Sequence, residues 1–413
     1  MTSQPFSQHA RLIRIETAQG SGLPESLVAE SFTGFEAVNA LFHFEIDALS
    51  LSTDVDLKLF IGEQITLRLL LADDSLRAWH GYCTEAAWLG ADGGLARYRL
   101  RLEPFLAFLT LRRDARIFQD QDLRGILTTV LKDYPQANFA WDVTQTLAQR
   151  DICCQYRESD FDFLVRLLAS EGLNWRFEHD QTPDAGGEDQ GHARHKLILF
   201  DAQAPLPAVP GNPVLRFHGV RASEADDSIQ HFSASRQVQS NAVAISSWDP
   251  YQLVAPAAET ASALDVGDTP QLAVYDGSLE RRFADPAVAG RHAELRLKAL
   301  ELGNKAFEGR SAVRQLNPGH GFELSQHERY AEDNQFTVVS VSHQATNNLD
   351  AGMARLSLAN PLERGTYRNQ FTAVRQAVAL VPTLTAQPAA PTALGPQTAL
   401  VVGLEEAPLT TDR

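Results

Sequence analysis

The sequence predicts a mainly β protein with α+β insertions, and three observations carry that expectation. Apolar and polar residues alternate with the period of a strand through much of the first 110 residues. Turn chemistry separates the alternating runs. Helical periodicity is confined to a few stretches with clear start and stop signals. At 413 residues the chain has room for two or three domains. Its 44% hydrophobic and 21% charged residues are an ordinary globular balance that excludes wholesale disorder.

Residues 1–110 read as a first β domain, a small barrel or sandwich. Leu41-Phe-His-Phe-Glu-Ile, Ile65-Thr-Leu-Arg-Leu and Tyr98-Arg-Leu-Arg-Leu alternate, and Gly20-Ser-Gly, Ala72-Asp-Asp-Ser and Gly90-Ala-Asp-Gly-Gly read as turns. The last is a hairpin signal between Ala86-Ala-Trp-Leu and Leu95-Ala-Arg-Tyr. Residues 111–200 read as a mixed α+β domain. Asp122 can cap a helix over Leu123 to Lys132, with Pro135 just beyond it. A second helix has Ser159 as N-cap and Asp162 three residues on, a variant capping box. Phe161, Phe163, Leu164, Leu167 and Leu168 form its apolar face. Gly172 sits where a helix-ending glycine belongs, and Leu173 to His179 leaves as a strand.

Residues 180–194 read as a long exposed loop, and His195 to Phe200 as a strand. Prolines 205, 207, 210 and 213 mark a linker into a second β region, residues 201–375. One helix interrupts it: Asp285 caps, Pro286 takes the first helical position, the body runs to about Leu302 and Gly303 ends it. Strands return at Gly321-Phe-Glu-Leu and Gln335-Phe-Thr-Val-Val-Ser-Val. Residues 376–413 hold five of the 20 prolines and no aromatic residue, too little for a core of their own. A strand-like run, Thr398-Ala-Leu-Val-Val-Gly, lies within them.

Charge and motifs narrow the function. Fifty-two acids against 36 bases give a formal −16, which repels phosphate backbones and argues against nucleic acid. No apolar run reaches the roughly 18 residues of a membrane helix, and the first residues show no signal-peptide pattern. The expected product is made in the cytoplasm. Cys83, Cys153 and Cys154 are no disulfide framework, and a strand would point the adjacent pair to opposite faces.

Phosphate-loop, nucleophile-elbow, zinc-helix and dinucleotide signatures are all missing. Glu158, Asp160 and Asp162 could be paired carboxylates for acid–base chemistry. Their place at a helix N-terminus explains them more simply. His320, Glu323, His327 and His343 could ligate a metal, but a segment of strands makes their side chains diverge. Trp79, Trp88, Trp141, Trp175 and Trp248 are scattered and expected to be core and barrel packing. No catalytic residue, cofactor or metal is therefore expected, and the chain reads as an assembly component.

A faint internal echo supports that reading. Gly62-Glu-Gln-Ile-Thr-Leu leads through a polar turn to Trp79-His-Gly-Tyr, as Gly319-His-Gly-Phe-Glu-Leu leads to Phe336-Thr-Val-Val-Ser-Val. The run from Arg150 to His179, Arg150-Asp-Ile-Cys-Cys-Gln-Tyr-Arg-Glu-Ser-Asp-Phe-Asp-Phe-Leu and onward, strongly resembles the VgrG family, the spike proteins of type VI secretion systems. The match extends through Phe32 to Glu45, Phe60 to Thr66, His80-Gly-Tyr, Leu95 to Pro104, Arg116 to Asp120, Pro318 to Leu324 and Gly395 to Gly403, covering nearly the whole chain.

The resemblance implies a phage tail baseplate hub-like fold with two β-barrel domains, at 1–110 and 201–375, around the mixed region. It implies a homotrimer whose six barrels seat on the hexameric tube protein Hcp and contact baseplate proteins. Sheath contraction would then drive tube and spike into a target cell and deliver effectors. Gln155, Tyr156, Arg157, Glu158, Ser159, Asp160, Phe161, Phe163, Arg166, Leu167 and Gly172 carry the family motif and are expected to be structural. VgrG proteins continue into an OB-fold and a β-helical needle tipped by a PAAR protein. The expectation is thus a hub fragment, with 376–413 a linker into an OB-fold, PAAR and effectors being reached through the region beyond. Two other readings stand: the hub of a contractile phage tail or related injection particle, and, least favoured, a hydrolytic enzyme using Glu158, Asp160 and Asp162.

Overall fold

The computed structural model describes residues 8, 10–17, 23–24, 27–92, 94–182, 193–218, 227–249, 253–277, 283–349, 362–382, 395–396 and 398. The first six strands are β1 (Ile13–Thr17), β2 (Val28–Ala37), β3 (Ala40–Ser50), β4 (Gln64–Leu70), β5 (Leu76–Asp92) and β6 (Leu95–Glu103). They pair antiparallel in the order β1-β4-β5-β6-β3-β2. The alternation explains the core: Phe42, Phe44 and Ile46 of β3 and Tyr98, Leu100 and Leu102 of β6 all point inward and are buried. β1 and β2, the ends of this path, meet through a side chain. Asn347 Oδ1 accepts from Ile13 N, and its Nδ2 donates to Ile13 O and to Ala29 O, 2.7–3.2 Å.

The mixed region follows, with α1 (Leu106–Leu109), β7 (Arg113–Gln121), α2 (Leu123–Leu131), β8 (Phe139–Asp142), β9 (Arg150–Ser159), α3 (Asp160–Ser170), β10 (Asn174–His179) and β11 (His195–Phe200). β7 and β9 form a two-stranded sheet, and β10-β11-β8 a three-stranded one. Both expected caps form: Asp122 Oδ1 accepts from Gly125 N and Ser159 Oγ from Asp162 N. Gly172 takes a left-handed φ of +70°, and Leu173 N bonds back to Leu168 O, so α3 ends in a Schellman turn.

The second half holds β12 (Val214–Arg216), β13 (Ile229–Arg236), β14 (Ala242–Ser246), β15 (Ala257–Ala261), β16 (Ala273–Asp276), α4 (Pro286–Leu302), β17 (Lys305–Ser311), β18 (Gly321–Ser325), β19 (Gln335–Thr346) and β20 (Thr366–Arg375). Six of these run in the order β12-β18-β19-β20-β17-β13, and a bridge from Phe217 to Ile229 joins the two ends. Phe232, Phe307, Phe322, Phe336 and Phe371 fill the centre. The circular order is the same as in the first half: first, fourth, fifth, sixth, third and second strand of each set. The set differs in its first strand, since β12 runs parallel to β18 whereas β1 runs antiparallel to β4. The echo noted in the sequence falls on the fourth and fifth strands of both sets. β2 and β19 pair from Ser31–Thr346 to Ala37–Ser340, so both rings share one sheet. β14, β15 and β16 form a separate sheet backed by α4.

Two expectations need correction. The proline-marked segment is part of the second ring, because Ala208 bridges Gly321 and β12 pairs with β18. Its Pro213 O and Pro207 O accept from Glu323 N and Gly321 N, a role open to prolines because each keeps its carbonyl. Trp79 and Trp175 are core and Trp141 is half-buried, but Trp88, opposite Tyr98 on β5, and Trp248, just past the end of β14, are exposed. The Gly20-Ser-Gly turn, most of the 180–194 loop and the Thr398–Gly403 run lie largely outside the described residues.

Candidate functional site

The Arg150–His179 unit is built from the inside out. Asp160, fully buried at the start of α3, accepts from Tyr134 OH at 2.7 Å and from Gln155 Nε2 at 2.6 Å. Glu158 takes a bidentate bond from Arg166, 2.6 and 2.8 Å, and the same guanidinium donates to Cys154 O. Phe163 stacks on Phe118 at 5.6 Å, Leu167 is buried beside it, and Phe161 meets Trp175 edge-on. Burial and the bond to Asp160 together push the Tyr134 phenol up. An acid catalyst must face a cleft, whereas Glu158 and Asp160 face the interior and are bonded there. Two motif residues turn outward. Arg157 is exposed in a bulge with φ +54°, its guanidinium 5.7 Å from the ring of the half-buried Tyr156.

A second polar centre lies where the two rings and the mixed region meet. Glu36 of β2 is buried, and its Oε2 accepts from Trp79 Nε1 at 2.8 Å, His343 Nε2 at 2.9 Å and Arg77 Nη2 at 3.1 Å. His179 Nε2 stands 3.6 Å from Oε1. Arg77 reaches on into the second ring, donating to the carbonyls of Arg314 and Leu316 and to Asn317 Oδ1. Tyr367 OH donates to His343 Nδ1 at 2.7 Å, which fixes the Nε2–H tautomer facing Glu36. Burial raises the Glu36 carboxyl, but the imidazoles of His179 and His343 and the charge of Arg77 outweigh it and hold it well below its ordinary value. Burial pushes His343 down, against the pull of Glu36.

The signal for this centre was present in β2. Phe32, Gly34 and Glu36 share one strand face, and all three are buried. A carboxylate on a core face requires a cation, which Arg77 supplies to Glu36. Around the same seam His80 donates from Nε2 to Asp180 O and accepts at Nδ1 from Thr66, and burial lowers its pKa to about 4. The four residues His320, Glu323, His327 and His343 do not converge, and no cluster suited to a metal occurs among the described residues. His343 belongs to the Glu36 centre. Cys153 is buried and Cys154 exposed, both as free thiols, as opposite strand faces require.

With this geometry established, the chain can be set beside known proteins. The sequence profile of the phage tail baseplate hub family matches residues 35–349. The chain is 26% identical over 413 residues to the type VI secretion system spike protein VgrG1b of Pseudomonas aeruginosa, covering 99% of this chain and 52% of that protein. It spans about half the length of the curated relatives it matches. Among solved structures, an E. coli type VI secretion component described as similar to T4 bacteriophage tail proteins gp27 and gp5 superposes with a TM-score of 0.61, at 18% identity over 91% of this chain and 81% of that one. A chain of the Francisella PdpA–VgrG complex gives a TM-score of 0.55 at 9% identity over 92% of this chain and 60% of that one. At these identities the structural likeness is one of fold.

Proposed function

Because the chain belongs to the phage tail baseplate hub family, we propose that it is the hub of a type VI secretion spike and assembles as a homotrimer. The observation that carries this reading is the circular strand order found twice in one chain and joined through β2 and β19. Three copies then present six similar rings. Such a ring of six matches a hexameric Hcp tube on one side, while threefold symmetry suits a trimeric needle on the other. In this reading residues 1–110 and 201–375 are the two hub barrels and 111–200 the region between them. The Gln155–Gly172 motif locks that region in shape. PAAR, effectors and baseplate proteins are its further partners in this reading.

The work of such a hub is mechanical. It is assembled in the bacterial cytoplasm and carries axial load when the sheath contracts. A junction that holds Glu36, Arg77, His343 and Tyr367 in one buried network suits that task, since removing any one partner strands the others without water. The engagement of Glu158 and Asp160 inside the fold supports a structural role over hydrolysis. The hub of a contractile phage tail has the same fold, and neighbouring sheath and ATPase genes, as against capsid genes, separate the two.

The test is solution mass by light scattering, followed by negative-stain class averages. A particle of three times 45.4 kDa with six lobes is expected. A stable dimer, or a ring with another number of lobes, overturns the reading.

A further inference from the structure

One edge of β5 is closed by side chains instead of a strand. β6 pairs with β5 only from Tyr82 onward, so Ala78 and His80 have β4 as their one ladder partner. The end of β10 and the residues after it take over the open side. His80 N donates to His179 Nδ1 at 3.0 Å and His80 Nε2 to Asp180 O at 2.7 Å. Ala78 N and O bond Gln181 Oε1 and Nε2 at 2.8 and 2.9 Å. At the start of β11, His195 Nε2 accepts from Phe105 N at 3.0 Å, and just before it Ala193 N donates to Tyr82 OH. His179 and His195 face each other across the β10–β11 pair, and His80, His195 and Phe105 are buried.

The imidazoles of this seam are held in two different ways. His80 Nδ1 and His343 Nδ1 accept from the hydroxyls of Thr66 and Tyr367, which can turn and offer a lone pair instead. His179 Nδ1 and His195 Nε2 accept from backbone N–H groups, which can only donate. A proton on either nitrogen therefore sets N–H against N–H and breaks the contact. The titratable groups facing His195 are two more imidazoles, His179 and His80, and the Tyr82 phenol, with no carboxylate among them. Glu36 stands beyond His179, 3.6 Å from its Nε2, and is shared with Arg77 and His343; Asp180, Arg68 and Arg194 face His80. Burial, with His179 and His80 beside it, holds His195 well below its ordinary 6.5.

We propose that these contacts form an acid-released latch: a proton taken up at His195 frees residues 179–181 and 193–195 from the first ring and bares the edge of β5. His179 and His195 are paired across β10 and β11, so the two contacts open as one. An unpaired strand edge is a template for pairing with another chain, and the chain thus presents in acid a surface that it hides at neutral pH. The sign follows from the burial of His195. Its neutral form is the one the fold holds, so the stabilisation is complete above about pH 6.5 and is lost as pH falls below that. One proton taken up per opening makes opening about tenfold more favourable for each pH unit in that range.

Hydrogen–deuterium exchange of the intact chain, corrected for the intrinsic effect of pH on exchange, tests the latch. Peptides holding His80 and Phe105 should lose about a hundredfold of their protection between pH 6.5 and 4.5, while those of β17 in the second ring keep theirs. Exchange at the C2 hydrogen of His195, read on the same samples, should titrate together with the loss at Phe105. His195→Gln keeps a side-chain oxygen that can accept from Phe105 N without taking up a proton, and it should abolish the acid loss there. Should that variant not fold, the coincidence of the two titrations in the unaltered chain decides. Protection that stays constant down to pH 4.5 overturns the latch, as does a loss at Phe105 that precedes the titration of His195. An undiminished loss in folded His195→Gln overturns it too, and so does a simultaneous loss across both rings, which is global unfolding.

Discussion

Replacing Glu36 with Gln removes one charge and almost no volume from the centre of the molecule. Its Oε2 accepts from an indole, an imidazole and a guanidinium. Gln offers one carbonyl oxygen there, or, flipped, an amide nitrogen that meets three donors with two more. Arg77 is left as a buried cation whose remaining partners are carbonyls and Asn317. Breaking a buried pair by removing one partner costs about 3–5 kcal/mol, so Glu36→Gln should destabilise by about that much. Equilibrium urea unfolding followed by tryptophan fluorescence reads it, since Trp79 is a direct partner. Arg77→Met alone should cost a similar amount, and the double variant clearly less than the sum. The pH dependence has a definite sign. Glu36 titrates well below its ordinary 4.5 in the folded protein, so its stabilisation is complete above about pH 4.5 and is lost as pH falls below that. Glu36→Gln should flatten that acid limb. A Glu36→Gln protein within about 1 kcal/mol of the parent, with an unchanged acid limb, refutes the argument that this centre holds the rings together.

Other outcomes follow from single contacts. His80 falls from 6.5 to about 4 on burial, so about 3 kcal/mol is present above pH 6.5 and lost as pH drops toward 4; its ring resonances should stay neutral to about pH 5, and titration near 6.5 refutes this. Gly172→Ala forces a Cβ into a left-handed φ of +70° and within 2.6 Å of Leu295 Cδ2; a loss of about 2 kcal/mol in thermal unfolding is expected, with part of it recovered by Leu295→Ala. Ser159→Ala should cost about 1 kcal/mol as a lost N-cap, and Asp162→Ala less, because Asp162 contributes its backbone amide to that bond; equal losses in urea midpoints contradict the assignment. Asn347→Leu leaves Ile13 N, Ile13 O and Ala29 O without their partner, a loss of about 3 kcal/mol that should appear as faster amide exchange confined at first to β1 and the adjoining end of β2.

What was legible in the chain was local. Alternation placed Leu41 to Ile46 and Tyr98 to Leu102 in strands, and Asp122, Ser159, Asp285 and Gly172 bounded helices, because each signal depends on neighbours a few residues away. The motif from Gln155 to Gly172 was legible as a unit but its chemistry was not. One partner of Asp160, Gln155, lies within the motif, but the other is Tyr134, 26 residues upstream, and nothing in the spacing announces it. The Glu36 centre was harder still. Glu36 and His343 are 307 positions apart and meet only because β2 pairs with β19. The proline segment misled for a related reason: Pro207 and Pro213 look like linker residues until the strand that uses their carbonyls is known.

The two rings also show how a repeated topology can diverge at its weakest point. In each set the first strand in the chain stands at the seam where the ring closes on the second strand. It is there that the sets differ, β1 being antiparallel to the fourth strand and β12 parallel to it. Reversing one strand reverses its hydrogen-bond pattern with both neighbours, so the two seams require different solutions. The second ring meets through a backbone bridge between Phe217 and Ile229. The first meets through the amide of Asn347, which supplies one donor and one acceptor to Ile13 and a donor to Ala29. Asn347 follows directly on β19, a strand of the second ring. The first ring's seam is therefore held by the second ring's chain, so that the first ring should not be able to open without freeing Asn347 at the end of β19.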